Sequence, residues 1–394
     1  MRNLKRAPAL PDNVKHNDHD SGFTLVIPTF NRPAYLKRVL SYYLDLKSDC
    51  KILVADASSD ENKDKNEKII RTFAKSNIVY LNSYKPDIPP RNKVFDALSH
   101  VTDKYALLCA DDDFISPHAI EECANFLGAN SDYSSAHGHY IDFSTYFNGR
   151  NSGKCFSWIP KAAYIAPSIS NDEPLARIIQ HLTKYVPTFY AVHRTDELRL
   201  NMKRTVEYAS KYGDAYSPFD ELLPSCLSII RGKSKRMDIF YGAREHISNS
   251  AGQRFTHWRE AIVLKDFSDR YSGFRGYLID AAKDKTGGNV QSFGKSIDEA
   301  FVVFLKERFN AESVGLQPKA AVCRKKIKEI MYRHNLLRFV IGPHLSVTRF
   351  KFTLRMFKKA ISQSEDDFPV SWWLNIYKRF KDINVIKENV MRAG

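Results

Sequence analysis

Three consecutive aspartates, Asp111-Asp112-Asp113, stand directly behind the apolar run Tyr105–Ala110 (YALLCA). Adjacent carboxylates repel one another unless a cation sits among them. On an extended backbone the side chains alternate, so Asp111 and Asp113 point to one side. Hard divalent cations such as Mg²⁺ or Mn²⁺ take oxygen ligands, commonly one or two carboxylates completed by substrate phosphates. An ion held this way stabilises the charge that builds on a departing diphosphate. Two further polar clusters also follow apolar runs: Pro28-Thr29-Phe30-Asn31-Arg32 and Asp56-Ala57-Ser58-Ser59-Asp60.

The elements that must position these clusters are legible as alternating periodicities. Phe23–Pro28, Lys51–Ala55, Asn77–Leu81 and Tyr105–Ala110 read as short strands without a polar face. Between them lie helical stripes: Tyr35, Leu36, Val39, Leu40 and Tyr43 behind Pro33, then Glu67–Ala74, then Lys93–Val101. Strands apolar on both faces and separated by helices predict a parallel α/β sheet covered on both sides. Ligands of such sheets bind at the carboxyl ends of the strands. All three polar clusters fall there, on one rim. Farther on, Tyr140–Phe147 and Thr188–Val192 read as strands, and Asp220–Arg231 as a helix.

In these segments the chain resembles the family-2 glycosyltransferases. The resemblance rests on FTLVIPTFNRPAYLKRVL, ILVADASSD, PPRNKVFDAL and YALLCADDDF, in order, over roughly residues 23–145. It implies a GT-A fold, a Rossmann-like nucleotide-diphospho-sugar transferase domain. Pro28, Thr29, Asn31 and Arg32 would line the nucleotide pocket. Asp56 would accept a hydrogen bond from the base, usually uracil. Arg91 and Asn92 would lie near the diphosphate or sugar, where a guanidinium suits anionic oxygens. Asp111 and Asp112 would face the ribose and donor sugar, and Asp113, with Asp111, would hold a divalent metal (Mn²⁺ or Mg²⁺). Family members invert the anomeric centre and use a carboxylate base. That base commonly lies in a Glu-Asp pair opening a helix. Here the order is Asp220-Glu221, so either residue is a candidate, with Asp220 slightly preferred. His246, in Arg244-Glu245-His246, is a candidate third metal ligand or phosphate contact, with a structural histidine as the plain alternative. His137 and His139 are candidates for the acceptor side.

The implied domain plan is a lead at 1–22, a GT-A domain at 23–250 (nucleotide half 23–113, acceptor half 114–250) and a basic, mainly helical region at 251–394. The net charge of +15 points to an anionic partner. Between Lys319 and Lys359 a dozen Lys and Arg residues face a single acid, Glu329, with apolar residues interleaved. Such a stretch fits an anionic membrane surface. No nucleic-acid motif accompanies it, and no nucleic-acid partner is expected. Six cysteines without a CxxC pair suit a reducing compartment, and the N-terminus lacks the apolar core of a signal peptide. A cytoplasmic enzyme is therefore expected, peripheral to the membrane at most. It would use a UDP-sugar donor and a glycan or lipid-linked glycan acceptor in surface polysaccharide synthesis. Two other classes share these features. A metal-dependent nucleotidyltransferase would show a Gly-rich first loop, where this chain has PTFNRP. A non-catalytic scaffold on the same fold has no need of aspartates at the strand ends.

Overall fold

The four apolar runs form parallel strands β1 (Phe23–Thr29), β2 (Lys51–Asp56), β3 (Ile78–Leu81) and β4 (Tyr105–Leu108). They are joined by α1 (Pro33–Asp45), α2 (Asp60–Thr72) and α3 (Pro90–Ser99). The computed structural model describes residues 22–73, 77–148, 153–159, 167–213, 217–245, 257–286, 293–316 and 380–392. Pro33 and Pro90 open their helices, where a missing N–H costs nothing. Side-chain alternation divides each strand between two cores. Leu25, Ile27, Ile52, Val54 and Leu107 pack with Leu36, Val39 and Leu40 of α1. Val26, Leu53, Ala55, Ala106 and Leu108 pack on the other face with Val94, Ala97 and Leu98 of α3. Burial on both faces is why these strands lack a polar face.

Beyond Asp113 the order is β5 (Phe114–Ile115), α4 (Pro117–Ala129), β6 (Tyr133–Asn148), β7 (Gly153–Ile159), α5 (Pro174–Thr183), β8 (Val192–Arg194), α6 (Thr195–Tyr212), α7 (Phe219–Arg231) and β9 (Lys233–Glu245). The nine-stranded sheet runs β3-β2-β1-β4-β8-β6-β9-β5, with β7 paired to β6. β8 runs antiparallel to both β4 and β6, so the sheet becomes mixed beyond its parallel half. The strand expected at Tyr140–Phe147 is the outer part of the longer β6. The one expected at Thr188–Val192 begins only at Val192, because Thr188–Ala191 closes a turn in which the Ala191 N–H donates to the Thr188 carbonyl at 3.0 Å.

Among the described residues, the helices after β9 are α8 (Trp258–Ala261), α9 (Phe267–Thr286), α10 (Phe293–Leu316) and α11 (Phe380–Arg392). A third core centres on Phe219, whose ring lies near Trp258, Phe274 and Phe301, so α7 shares its core with α8, α9 and α10. α11 returns to the first core: Ile386 and Val390 are buried there, and the Ser116 hydroxyl donates to Asp382 at 2.9 Å. The helical part of 251–394 thus packs at two separate places. The boundary expected near residue 250 and the basic stretch 319–359 lie outside the described residues. Among the described residues no helix is long and apolar enough to cross a membrane. Cys50, Cys109, Cys123 and Cys226 are buried free thiols.

Two anchors fix α7. At its C-terminal end the buried Arg177 guanidinium donates to the carbonyls of Ile229 at 2.8 Å and Ile230 at 2.7 Å, acceptors the helix itself leaves unpaired. At its N-terminal end Asp220 pairs with Arg91 of α3. Inside it, Pro224 lacks the N–H that would bond the Asp220 carbonyl, which loosens the first turn.

The close approach of β5 and β9 requires Gly242, where an added Cβ would lie 2.3 Å from the Phe114 carbonyl oxygen. Gly242→Ala should force the two strands apart just behind Asp113. Thermal or urea unfolding should show a loss of about 1–3 kcal/mol, and an unchanged midpoint would contradict the packing described.

Candidate active site

Strand register brings the three rim clusters together. Thr29 lies opposite Asp56 across β1 and β2. The Cys109 N–H continues the ladder to the Val26 carbonyl at 3.0 Å, which sets the start of the acidic triplet beside β1. Asn31 adopts a left-handed backbone with φ of 55°, a conformation Asn tolerates better than most residues. Its amide donates to Ser58 Oγ at 2.7 Å, and its side-chain oxygen accepts from the Ser59 amide at 2.8 Å. The loops after β1 and β2 are thereby sewn together.

Asp111, Asp112 and Asp113 are 3%, 5% and 6% exposed, and so must find their partners within the protein. Asp111 accepts from the Thr29 hydroxyl at 2.7 Å and from Arg32 Nη1 at 2.7 Å. Arg32 Nη2 reaches Asp112 at 2.9 Å, so one guanidinium spans two carboxylates. The ring of Tyr35 lies under both Arg32 and Arg38, at 4.3 and 4.7 Å. Asp113 accepts from the Glu245 amide at 3.0 Å and faces Arg244 Nε at 3.7 Å. Burial pushes the Asp111 carboxyl up to about 6, against the pull of Arg32. Burial pushes Asp113 farther, to about 8; neighbouring Asp112 adds to the rise and Arg244 opposes it.

Other expected residues fall around this centre. Asp56 is fully buried and accepts three hydrogen bonds, from the Ser58 amide at 2.8 Å, Asn66 Nδ2 at 2.8 Å and the Tyr80 hydroxyl at 2.7 Å. It lies beneath the loop rather than at its surface. Pro28 ends the strand beside Thr29, and Asn92 sits half-buried in the first turn of α3. Arg91, from the same turn, is joined to Asp220 of α7. Glu221, one position on, reaches solvent yet is crowded by Tyr185, Arg244 and Arg308, the combination expected of a group lining a cleft. That crowding raises its carboxyl above the usual range, while the two guanidiniums pull it back. His246 lies outside the described residues. His137 and His139 are engaged within the sheet half, with the Gly138 carbonyl at 3.0 Å and Asp238 at 2.9 Å.

Four participants escaped the sequence reading. Lys93 donates to the Thr29 carbonyl at 2.8 Å, and burial lowers its ammonium to about 8, with Asp111 and Asp56 holding it up. It occupies a core position of its helical stripe, with Val94, Ala97, Leu98 and Val101, and a lysine there was the available signal. Arg38 and Glu245 pair behind the triplet. Arg308, on α10, bonds the Tyr185 carbonyl at 3.0 Å, and no local pattern announces it.

Residues 24–194 match the family model described as Glycosyl transferase family 2. Over that segment, less than half of its length, the chain is similar to the family-2 glycosyltransferases. No curated protein sequence matches the chain. Among solved structures, S. aureus TarS 1-349 in complex with UDP is 14% identical with a TM-score of 0.48, covering 95% of this chain and 92% of that one. The same protein in complex with UDP-GlcNAc is 15% identical with a TM-score of 0.43, covering 75% and 92%. The segment similar to that family is an α/β domain, and described helices follow it in the C-terminal region. Asp220, Glu221, Arg244 and Arg308 all lie beyond the segment matched by the family-2 model.

Folding disfavours the charged form of Asp113. With its folded pKa raised to about 8, the folded protein holds a proton that the unfolded chain gives up near 3.8. The resulting stability is complete below the unfolded value and is lost as pH rises through 8. Asp113→Asn should therefore unfold at a higher temperature than wild type at pH 9, in EDTA, with the difference vanishing near pH 4. Equal melting at pH 9 would contradict the burial of this carboxylate.

Proposed function

We propose that the enzyme transfers a sugar from a UDP-sugar to an acceptor hydroxyl with inversion at the anomeric carbon. The observation that carries this reading is the buried, arginine-bridged acidic triplet at the β1/β4 rim, with Arg244 near both Asp113 and Glu221. Uridine as the base follows from the resemblance of the first two rim loops to the family.

The residues fit a divalent cation. Asp113 is a buried oxygen donor whose raised pKa means that its charged form gains from a nearby cation. Both oxygens of Asp111 already accept bonds, from Thr29 and Arg32. Asp113 would therefore be the principal protein ligand for Mn²⁺ or Mg²⁺, with donor phosphates completing the shell. Such an ion would supply positive charge to the departing diphosphate. Arg32, the buried Lys93 and Arg244 add fixed positive charge around the same rim, which organises the site before the donor arrives. Asp56 shapes the base end of the pocket by fixing Ser58 and the turn that Asn31 grips.

Glu221 is the better-placed base. Burial raises its carboxyl above the usual range, which favours proton capture, and it reaches solvent, where an acceptor enters. It takes the proton of the acceptor hydroxyl as that oxygen bonds the anomeric carbon, opposite the breaking bond to the diphosphate. Asp220, paired with Arg91, orients the first turn of α7. The acceptor is a glycan or lipid-linked glycan of a surface polysaccharide. The basic stretch 319–359 would bring the enzyme to the anionic cytoplasmic face of a membrane.

Steady-state kinetics separate the two acids. Glu221→Gln should lower kcat by about 10²–10⁴-fold with UDP affinity unchanged. Asp220→Asn should retain more activity. The reverse ranking would assign the base to Asp220.

A further inference from the structure

The acidic triplet is gripped from behind by a pair that touches neither donor nor acceptor in the reading above. Arg38 lies on α1 and Glu245 ends β9, and both are nearly sealed from solvent, at 4% and 8% exposure. They form an ion pair in which Arg38 Nη2 donates to Glu245 Oε2. The same nitrogen reaches the Asp112 carbonyl at 3.3 Å. Glu245 Oε1 accepts from the Thr145 hydroxyl at 2.8 Å, so both of its oxygens are used. The Glu245 backbone amide donates to Asp113 Oδ1 at 3.0 Å. The rings of Tyr35 and Phe114, at 4.7 and 5.5 Å, hold the Arg38 guanidinium in place.

We propose that Arg38 and Glu245 are the positioning pair of the metal site, turning Asp113 so that Oδ2 presents to a cation; this rests on the donor-site reading above. The logic is geometric. Oδ1 is pinned by an amide whose own position is set by Glu245, and Glu245 is held by Arg38 and Thr145. The main chain of Asp112 is held by Arg38 as well. What remains is Oδ2, the oxygen facing Arg244 at 3.7 Å. Groups that orient a metal ligand from behind typically change metal affinity 10–100-fold when removed.

The test reads Mn²⁺ affinity by electron paramagnetic resonance in the presence of UDP, on the full chain. Arg38→Met alone leaves a buried carboxylate unpaired and can unfold the protein. The double variant Arg38→Met/Glu245→Gln removes both charges while keeping the backbone amide. It should melt close to wild type and bind Mn²⁺ at least about 10-fold more weakly, while Arg38→Lys stays within about 3-fold of wild type because it keeps a cation against Glu245. Thr145→Val frees one oxygen of Glu245 without stranding a charge. It should also weaken Mn²⁺ binding, and it serves as the readout if the double variant does not fold. Wild-type Mn²⁺ affinity in either folded variant overturns the proposal. Absence of Mn²⁺ binding in the wild type, or binding unaffected by Asp113→Ala, overturns the donor-site reading and the pair's role with it.

Discussion

Three neighbouring carboxylates cannot be taken out of water together unless positive charge and hydrogen-bond donors are already waiting for them. This constraint shapes the rim of the sheet. Asp111 takes a hydroxyl from β1 and a guanidinium from the loop behind it. Asp112 shares that guanidinium. Asp113 takes an amide and a nearby guanidinium from the end of β9. The compensation comes from both halves of the chain, so the triplet can form only when β9 is in place beside β5. Even so, Asp111 and Asp113 keep raised pKa values, and the site retains an unmet demand for positive charge.

That demand links fold to chemistry. A parallel sheet places its loops at one rim, and the register of β1 against β2 and β4 sets three of them side by side. α7 then brings Asp220 to Arg91 of α3, and Glu221 to Arg244, which also faces Asp113. α7, α9 and α10 lie outside the family-matched segment, in a core they share with Ile178 and Leu182 of α5 within it. The helical region therefore sets where Glu221 stands, through the packing around Phe219 and through Arg308 beside Tyr185. Arg177 at one end of α7 and Arg91 at the other keep that helix from sliding.

The parallel half of the fold was legible in the sequence because its signals are local: apolar runs at Phe23, Lys51 and Tyr105, and prolines where helices begin. The rim clusters were legible for the same reason, since each directly follows its strand. What stayed hidden depends on distant pairing. Thr29 with Asp111, Arg38 with Glu245 and Arg91 with Asp220 join residues far apart in the chain, and no periodicity encodes such partners. The strand expected from Thr188 starts only at Val192, because Thr188–Ala191 forms a turn closed by the Ala191 N–H to the Thr188 carbonyl, against the strand propensity of its residues. The slight preference for Asp220 over Glu221 came from the resemblance to the family, whose base is often the aspartate of such a pair. Side-chain partners, which sequence does not encode, distinguish them: Asp220 pairs with Arg91, and Glu221 lies near Tyr185, Arg244 and Arg308.

The central claim is that the acidic rim is a cation-dependent nucleotide-diphosphate site. Calorimetric titration of UDP into the wild-type protein, first with Mn²⁺ and then with EDTA, tests it most directly when repeated on Asp113→Ala. Binding that requires both the metal and Asp113 is the predicted result. Binding of UDP with equal affinity in EDTA, or in the Asp113→Ala protein with Mn²⁺, would contradict it.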